Sequence, residues 1–598
     1  MSYTSMDLIV QINSREALDA ALAAGVNGVT LDLPRGADQA WWAEAAVWLA
    51  AARGRGVGFY LQWDRLIREE ELPQAQEVLA HAATLQPDAL VLRDPGLCRE
   101  ARGRYPELVL HAAAACGYHN SPGLRLAESL GFRRVVLAGP INLKDLALMR
   151  RQTTLPLEVV LPQPCPGYGH LCLLDEYLGA GCPACCHPAR WQPDPAAGLP
   201  AALEMLPGLA QLGVAAVRLG WVFSQAKPLS RVIELCQLLW EATAAERPRL
   251  LAVARDVLAA FEAEFHLEFP AKAPLPDQGS PGPAAAADVP RASSRERPQT
   301  APSPGRIWLE ARDYGEAAFL AQEWREPLIL QLNAENYAAF LAQYRHWHPR
   351  RFIWRLPPII RESTLAFFGQ AILTLKQGGF SRFLVGDWGG VALVREAGGL
   401  IYGEQTLGVR NSQARLAATD LGVSKVCLPP GQGPQDWQDL VQAAPRGSFW
   451  GYLYRLPALT TCPRGVSDLP VPNGDNLRWL SEGDLALLIP EAAEDLGLHQ
   501  VWFEQKWVAP LVISLVHSNL PWGQVPALAR PPKPEPRPGP ERRPRPQLRG
   551  KAGPAPRPER RGRPETPLRD KAGSTPRPER RGRPEPPPRP KTPKRRQP

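Results

Sequence analysis

Short apolar runs alternate with longer stretches of helical spacing through the first 270 residues, and this alternation limits the fold more than any other feature of the sequence. Strands separated by helices pair in parallel and are covered by helices on both faces. Eight such units in about 250 residues predict a (β/α)8 barrel, with an open doubly wound sheet as the alternative. The eight strand candidates are Asp7–Gln11, Gly28–Leu33, Gly58–Gln62, Ala89–Leu92, Leu108–Ala112, Arg134–Leu137, Glu158–Leu161 and Ala216–Leu219.

A second block of the chain repeats part of the first. Residues 271–305 are rich in Pro, Ala and Ser without apolar periodicity, which predicts a disordered linker between a barrel domain at 1–270 and a second domain at 306–529. Both blocks contain Gly, Asn-Ser, a helical stretch, Leu-Gly and a β-rich run, with Asn120 and Asn411 separated by 291 residues. The second block is therefore predicted to be a related α/β domain, and a chance match of βα patterns is the alternative.

The C-terminal tail, residues 530–598, has a composition unlike the rest of the chain. It contains 22 of the 66 prolines and 23 basic against 7 acidic residues, while the whole chain carries a net charge of +9. Proline neither continues helices nor donates to sheet ladders, so the tail is predicted to be disordered. A basic segment starting at Lys551 recurs at Lys571, and such segments bind polyanions by counterion release. RNA is the expected partner, and a solubilising tether is the alternative.

The sequence contains no pattern typical of a membrane or secreted protein. The longest apolar stretch, near residues 507–516, is too short to span a bilayer, and residues 1–10 lack the charged-then-apolar pattern of a signal peptide. We therefore expect no membrane partner and a cytoplasmic location, where ten cysteines are not a disulfide framework. A protein partner and any oligomeric state remain open at this stage.

Five of the ten cysteines fall between residues 165 and 186, directly after the seventh strand candidate. Cys165, Cys172, Cys182 and either Cys185 or Cys186 would supply four thiolates, which predicts a metal centre at the barrel mouth. Zinc knuckles need cysteines two to four residues apart, and only the second pair has that spacing. An iron–sulfur cluster accepts wider spacing and is therefore favoured, with zinc and a metal-free loop as alternatives.

The cysteine segment resembles the signature region of the peptidase U32 family. Its pattern is Cys-x6-Cys-Leu-Leu-x-x-Tyr-Leu followed by Cys-x3-Cys and Arg-Trp, and nearly all of residues 1–225 agrees with the family in order. The resemblance implies a 4Fe–4S cluster held by Cys165, Cys172, Cys182 and Cys186, with Cys185 as an alternative. It also implies oxygen-independent hydroxylation, most often of a base in tRNA or ribosomal RNA.

Three function classes follow from the resemblance. The first is an RNA-modifying hydroxylase, and the second is the collagenase-like peptidase after which the family is named. The sequence has neither a Gly-x-Ser-x-Gly elbow nor a His-Glu-x-x-His helix, which argues against a true protease. The third is a non-catalytic, cluster-bearing RNA-binding or scaffold protein. The family's Lys-Ile-Glu-Gly-Arg motif reads Arg218-Leu-Gly-Trp-Val222 here, which leaves this third class open.

Polar residues near the predicted strand ends are candidates for the site, because barrel enzymes place their chemistry there. The catalytic candidates are His111, Tyr168 and His170, and the substrate-binding candidates are Asp94 and Asn120. For Asn120 the alternative is a cap on the helix that follows, for Asp94 a turn, and for His170 an exposed loop position.

Overall fold

The structure is a computed structural model of the 598-residue chain. It describes residues 6–161 except 138, 140 and 141; residue 171; residues 195–264 except 221–225 and 244; and residues 307–517 except 430–433, 446, 456–459, 464–476, 483–484 and 491–510. The predicted linker at 271–305 and the predicted tail at 530–598 lie outside the described residues.

The first block forms a closed barrel of eight parallel strands, which confirms the predicted (β/α)8 fold. Each strand pairs with the next, and the eighth closes on the first with Ala216 opposite Asp7. The strands are β1 Asp7–Ile12, β2 Gly28–Asp32, β3 Gly58–Trp63, β4 Ala89–Leu92, β5 Leu110–Ala112, β6 Arg134–Val136, β7 Leu157–Leu161 and β8 Ala216–Leu219. The helices are α1 Arg15–Ala23, α2 Gln39–Arg53, α3 Leu72–Leu85, α4 Pro95–Arg104, α5 Ser121–Ser129, α6 Leu143–Arg150, α7 Pro195–Gln211, α8 Ala226–Glu241 and α9 Arg247–Glu264.

Short polar side chains between strands and helices fix where the helices begin. Ser14, Asp38, Asp94, Asn120 and Asn142 each precede a helix, and each side chain accepts a hydrogen bond from the backbone N–H three residues later. Such caps satisfy one of the four N–H groups that a helix leaves unpaired at its N-terminus. Several polar residues at the strand ends therefore have a structural role.

The second block forms another closed barrel of eight parallel strands, which is more than the partial repeat that the sequence predicted. Its strands are β9 Ile307–Glu310, β10 Leu328–Gln331, β11 Phe352–Arg355, β12 Arg382–Val385, β13 Leu400–Gly403, β14 Val423–Cys427, β15 Phe449–Tyr454 and β19 Leu511–Ser514. Its helices are α10 Tyr314–Glu323, α11 Ala334–Leu341, α12 Leu365–Gln377, α13 Trp388–Glu396, α14 Ser412–Asp420 and α15 Pro434–Ala443.

A small antiparallel sheet lies between β15 and β19 in the sequence. It consists of β16 Thr460–Pro463, β17 Leu477–Glu482 and β18 Leu485–Pro490, in the order β16–β18–β17. Strand β19 follows this sheet and pairs with both β15 and β9. The barrel therefore closes across an inserted sheet.

The two barrels contact each other through equivalent helices, with α4 packed on α14 and α5 packed on α13. The amide of Asn120 donates a hydrogen bond to the backbone oxygen of Ile360 at 2.8 Å. In return, the amide of Asn411 donates to the backbone oxygen of Ile67, also at 2.8 Å. The Asn-Ser window noticed in the sequence is therefore a reciprocal contact between the barrels.

A carboxylate from each barrel extends this contact to the first residue of a helix in the other. Glu362 accepts hydrogen bonds from the backbone N and Oγ of Ser121 at 2.6 and 2.8 Å. Glu69 accepts from the same two atoms of Ser412 at 2.6 and 2.9 Å. Carboxylates are favourable at helix N-termini, because the partial positive charge of the helix lies there.

Two glycines allow the helices to approach this closely. A Cβ atom on Gly389 would lie 2.1 Å from Oδ1 of Asn120. A Cβ atom on Gly96 would lie 2.5 Å from both Oδ1 of Asn411 and the backbone nitrogen of Ala414. Any larger side chain at either position would separate the barrels or displace the asparagine.

Candidate functional site

The segment that carries the cysteine cluster joins the mouth of the first barrel to α7. Strand β7 ends at Leu161 and α7 begins at Pro195, so the segment leaves the C-terminal end of a barrel strand. The candidate ligands Cys165, Cys172, Cys182, Cys185 and Cys186 and the candidate catalytic residues Tyr168 and His170 all lie outside the described residues.

Leu171 is the one described residue between 162 and 194. Its side chain is buried and belongs to a small apolar cluster with Ile359, and Leu485 packs against that cluster. Both partners belong to the second barrel or its inserted sheet. The residue that immediately precedes Cys172 therefore contacts the mouth of the second barrel.

A column of polar side chains, consisting of Asp7, Arg134, Glu158, Arg218 and Gln62, runs through the interior of the first barrel. Arg134 pairs with Asp7 at 3.2 Å and with Glu158 at 3.5 Å, and Arg218 donates from Nε to Glu158 at 2.6 Å and from Nη1 to Gln62. Asp7 and Arg134 begin their strands, whereas Gln62 is next to last in β3. The polar column therefore runs from the N-terminal to the C-terminal strand ends.

Charged residues in this position are unusual, because bulky branched side chains normally fill the interior of such barrels. Glu158 and Arg218 are 0% and 2% exposed. A buried charge is tolerated when its partner and its hydrogen bonds are in place, so each member of the pair depends on the other. The polar column gives the mouth a charged floor whose groups are held by several strands.

His111 lies on β5 beside the polar column and is 6% exposed. Its ring is 5.6 Å from the ring of Tyr60, over which Arg134 lies at 5.7 Å. Burial, together with the positive charges of Arg134 and Arg218, lowers the pKa of His111 to about 3. The imidazole is therefore neutral at physiological pH and cannot act as an imidazolium acid. Its catalytic role stays a prediction.

Asp94 and Asn120 lie at the contact between the barrels, and both are 0% exposed. Asp94 accepts hydrogen bonds from the backbone N–H groups of Leu97 and Ile67 at 2.9 and 3.0 Å, and from the amide of Asn411 at 3.1 Å. The capping alternative for Asn120 is confirmed, and Asp94 also caps its helix. Substrate binding by either residue stays a prediction that no described contact supports.

The four cysteines outside the cluster whose side chains the structure describes do not supply a reactive thiolate. The sulfur of Cys116 lies 3.3 Å from the backbone oxygen of Leu92, and burial raises the pKa of this thiol above its ordinary value. Burial likewise raises the pKa of Cys98, Cys236 and Cys427, which are buried and unpaired by disulfides. A Cys116–histidine dyad of the protease type is therefore not supported.

Within the described ranges, no group of three or more His, Cys, Asp or Glu side chains is placed to hold a metal ion. The same part of the chain has no helix with the length and apolar character needed to cross a bilayer.

The residues of the polar column are not among the site residues predicted from the sequence, although the sequence contains a signal for them. Neighbouring residues of a strand point to opposite faces. His111 and Arg218 lie within apolar strand candidates, and Arg134 and Glu158 begin theirs. Because a strand covered by helices on one side is apolar there, a charged residue within it faces the barrel interior.

Comparison with known proteins shows what the first barrel is similar to. Residues 15–269 match the model of peptidase family U32. This part of the chain is similar to that family, and we refer to the first barrel as the U32 barrel. The resemblance drawn from the cysteine pattern is thereby confirmed for the U32 barrel, while the match ends before the second barrel begins at Ile307.

Two curated relatives of the chain have the name tRNA hydroxylation protein P. One is from Haemophilus influenzae and the other from Escherichia coli K12, and each is 25% identical over 146 residues. The alignments cover 24% of this chain and 32% of each relative. The chain thus matches about a third of the length of these curated relatives.

Solved structures give weaker likenesses. The U32 peptidase Mk0906 is 18% identical, with a TM-score of 0.23 over 28% of this chain and 71% of that one. Thiamine phosphate pyrophosphorylase from Pyrococcus furiosus is 13% identical, with a TM-score of 0.26 over 42% of this chain and 96% of that one. The YdjI aldolase from Escherichia coli K12 is 14% identical, with a TM-score of 0.26 over 43% and 90%. The strand order itself, and not these scores, establishes the barrel fold.

Proposed function

We propose that this protein is an enzyme that takes part in oxygen-independent hydroxylation of an RNA base, with tRNA as the preferred target. It would hold a 4Fe–4S cluster through Cys165, Cys172, Cys182 and Cys186, with Cys185 as the alternative fourth ligand. The observation that carries the proposal is the U32 barrel match together with two relatives named for tRNA hydroxylation.

The donor set fits such a cluster. Five thiols within 22 residues supply the soft ligands that iron–sulfur clusters require, and wide spacing between the first two suits a cluster better than zinc. The segment also starts at the C-terminal end of β7, where barrel enzymes place their chemistry. When bound, the cluster would supply electron transfer or a coordination position for an oxygen-bearing group.

The residues of the U32 barrel would provide the surrounding pocket. Arg218 and Gln62 present the mouth with polar groups whose positions are fixed by the rest of the polar column. His111, neutral at physiological pH, is suited to give or accept a hydrogen bond and not to carry charge. The basic tail at 530–598 would bind RNA in the cytoplasm through sequence-independent contacts.

The cluster is tested on full-length protein purified without oxygen. The wild-type protein is expected to contain iron and to show iron–sulfur charge-transfer absorbance. Replacing both Cys165 and Cys172 by Ser should abolish both signals. Cys236→Ala, which changes a buried thiol in α8, is the matched control and should retain them. A colourless, iron-free wild-type protein would overturn the cluster assignment.

The reaction is tested by mass spectrometry of tRNA and ribosomal RNA nucleosides from cells that lack the gene. One nucleoside should lose the mass of an oxygen atom, and the wild-type gene and Cys236→Ala should restore it. The double cysteine variant should not restore it. An unchanged nucleoside map in cells whose protein does contain the cluster would favour a non-catalytic scaffold. No contact among the described residues favours the peptidase alternative.

A further inference from the structure

A cavity of about 430 Å³ lies between the two barrels, and the proposed function does not use it. Its walls come from α4 and the loops after β5 and α5 in the U32 barrel, and from α13 and α14 in the second barrel. We call this space, between Tyr118 and Phe132 on one side and Trp388 and Leu421 on the other, the interbarrel cavity. Sites for small molecules often lie between domains, and this volume is in their range.

The interior wall of the interbarrel cavity is mainly apolar. Phe132 and Leu421 are 3% and 5% exposed, and Leu130 adds a partly buried aliphatic side chain. The rings of Tyr118 and Phe132 lie 6.4 Å apart at an angle of 66°. Aromatic rings prefer such edge-to-face neighbours, so the wall suits a ligand with an apolar ring.

Two polar groups in this wall have no partner in the part of the chain that the structure describes. The hydroxyl of Tyr118 and the indole N–H of Trp388 donate no hydrogen bond to any described residue, although their side chains are 3% and 5% exposed. A buried donor without a partner is costly, and each of these two side chains lines the cavity. A ligand with an oxygen acceptor would satisfy a donor that the protein leaves unpaired.

The hydroxyl of Tyr118 is a donor throughout the physiological pH range. Burial raises the pKa of Tyr118 well above its ordinary value, and the neighbouring thiols of Cys116 and Cys98 act in the same direction. The phenol therefore keeps its proton, and the polar group that it favours is an acceptor.

The second barrel has the same turn without this hydroxyl. A short 3₁₀ turn precedes Gly117 in the U32 barrel and Gly408 in the second, and the two glycines have φ values of 78° and 71°. The next residues are Tyr118 and Val409, and Val409 is 2% exposed. An apolar side chain therefore serves the packing of this turn, and the hydroxyl of Tyr118 is an addition that the fold does not require.

The charged side chains around the interbarrel cavity are exposed or act on carboxylates. Arg99 and Arg102 are exposed, and Arg99 pairs with Asp420 of the second barrel at 3.0 Å. Arg93 is close enough to Asp64, which follows β3, for its positive charge to oppose the rise that burial causes in the pKa of that carboxyl group. The unpaired groups of the interior are therefore uncharged donors.

The mouth of the second barrel differs from the interbarrel cavity, because charged groups are buried there. Arg355 pairs with Glu310 at 2.5 Å and with Glu404 at 3.0 Å. The two glutamates are 1% and 3% exposed. These charges have partners within the barrel, whereas the donors of the interbarrel cavity have none among the described residues.

We propose that the interbarrel cavity binds a small, uncharged aromatic molecule that carries a carbonyl oxygen. The ring packs against Phe132 and Leu421, and the oxygen accepts a hydrogen bond from the hydroxyl of Tyr118. Because both barrels contribute to the wall, the bound ligand stabilises the contact between them. The site lies outside the two mouths and does not depend on the cysteine cluster or on the proposed hydroxylation.

The hydrogen bond is tested on the full-length protein with acetophenone as the probe. Ethylbenzene, which has the same ring and carbon chain without the oxygen, is the matched control ligand. Calorimetry and saturation-transfer NMR should show saturable binding of acetophenone, tighter than that of ethylbenzene. Tyr118→Phe removes only the hydroxyl and should weaken acetophenone binding about 3- to 10-fold while leaving ethylbenzene binding unchanged. Tyr337→Phe, at a half-buried tyrosine of α11 that packs on Phe367, is the control variant and should bind both probes as the wild type does.

The location is tested with two glycine variants. A Cβ atom on Gly103, which lines the cavity, or on Gly369 in α12 would meet no atom within 4 Å, so both positions accept a larger side chain. Gly103→Phe narrows the cavity and should weaken acetophenone binding about 10-fold, because the ligand and the new ring compete for space. Gly369→Phe is the matched control and should bind as the wild type does.

Three results would overturn the proposal. The first is a folded wild-type protein that shows no saturable binding of acetophenone. The second is equal affinity for acetophenone and ethylbenzene, or wild-type affinity in folded Tyr118→Phe, since either means that the hydroxyl does not contact the ligand. The third is wild-type affinity in Gly103→Phe, which places the ligand elsewhere on the protein.

Discussion

Asp387 offers the sharpest test of how the contact between the barrels is built. Its carboxyl group caps α13 by accepting a hydrogen bond from the backbone nitrogen of Gly390 at 2.7 Å, and it is 2% exposed. Burial raises its pKa from 3.8 to about 7, although hydrogen bonds from Gly390, Ile360 and Asn120 oppose the shift. The folded protein therefore keeps a proton on Asp387 at pH values where the unfolded chain has lost it.

Proton linkage sets the direction in which Asp387 changes the free energy of unfolding as pH rises. Between pH 3.8 and 7 the unfolded state binds fewer protons at this group than the folded state does, so its contribution to stability falls as pH rises. Three pKa units correspond to about 4 kcal/mol at 1.36 kcal/mol per unit. This contribution is fully present below pH 3.8 and is lost above pH 7.

Asp387→Asn keeps a capping oxygen and resembles the protonated acid. We expect the variant and the wild type to differ little near pH 4, and the variant to be more stable by up to about 4 kcal/mol at pH 8. Urea unfolding followed by circular dichroism and tryptophan fluorescence at pH 4, 5, 6, 7 and 8 measures the difference. The control is Asp313→Asn, an exposed cap of α10 that accepts from Glu316 N at 2.8 Å. A difference for Asp387→Asn that does not change with pH would refute the reasoning.

Three further predictions concern other parts of the molecule. Arg218→Met leaves Glu158 without its main partner and should lower the free energy of unfolding in urea by about 3–5 kcal/mol. Adding Glu158→Gln should recover most of that loss, and an equal loss in the single and the double variant would contradict the pairing. Glu69→Ala and Glu362→Ala each remove a carboxylate from the contact between the barrels and should each cost about 1–3 kcal/mol, and a loss for only one would speak against reciprocity. Deleting residues 530–598 should weaken RNA binding and flatten its salt dependence in filter-binding assays while leaving the iron content unchanged, and an unchanged salt slope would assign the tail to solubility.

The strands of the U32 barrel could be located from the sequence to within two residues, because apolar runs of strand length stand between well-spaced helices. The closure of the second barrel could not be predicted in this way. Its last strand, β19, is separated from β15 by the inserted antiparallel sheet, which interrupts the strand–helix alternation.

The candidate site likewise has a part that the sequence predicts and a part that it does not. The cysteine cluster is a local pattern and was visible in the sequence, whereas the contacts of Asn411 with Ile67 join residues 344 positions apart. No local periodicity encodes such a contact, so the sequence leaves Asn120 and Asp94 as candidates for substrate binding, with a helix cap and a turn as the alternatives. The charged residues at the two barrel mouths and in the polar column carry a usable signal, because each begins, interrupts, ends or directly follows an apolar strand.

The reciprocal contact between the barrels has the form of an isologous dimer interface contained within one polypeptide. Between separate chains, such an interface forms only above a certain protein concentration. Covalent connection replaces that dependence with an effective concentration on the order of millimolar. Two half-molecules that are held together in this way no longer need to be identical. The mouth of the first barrel can then carry the cysteine segment while the mouth of the second barrel carries charges of its own. One chain thereby has two unlike mouths.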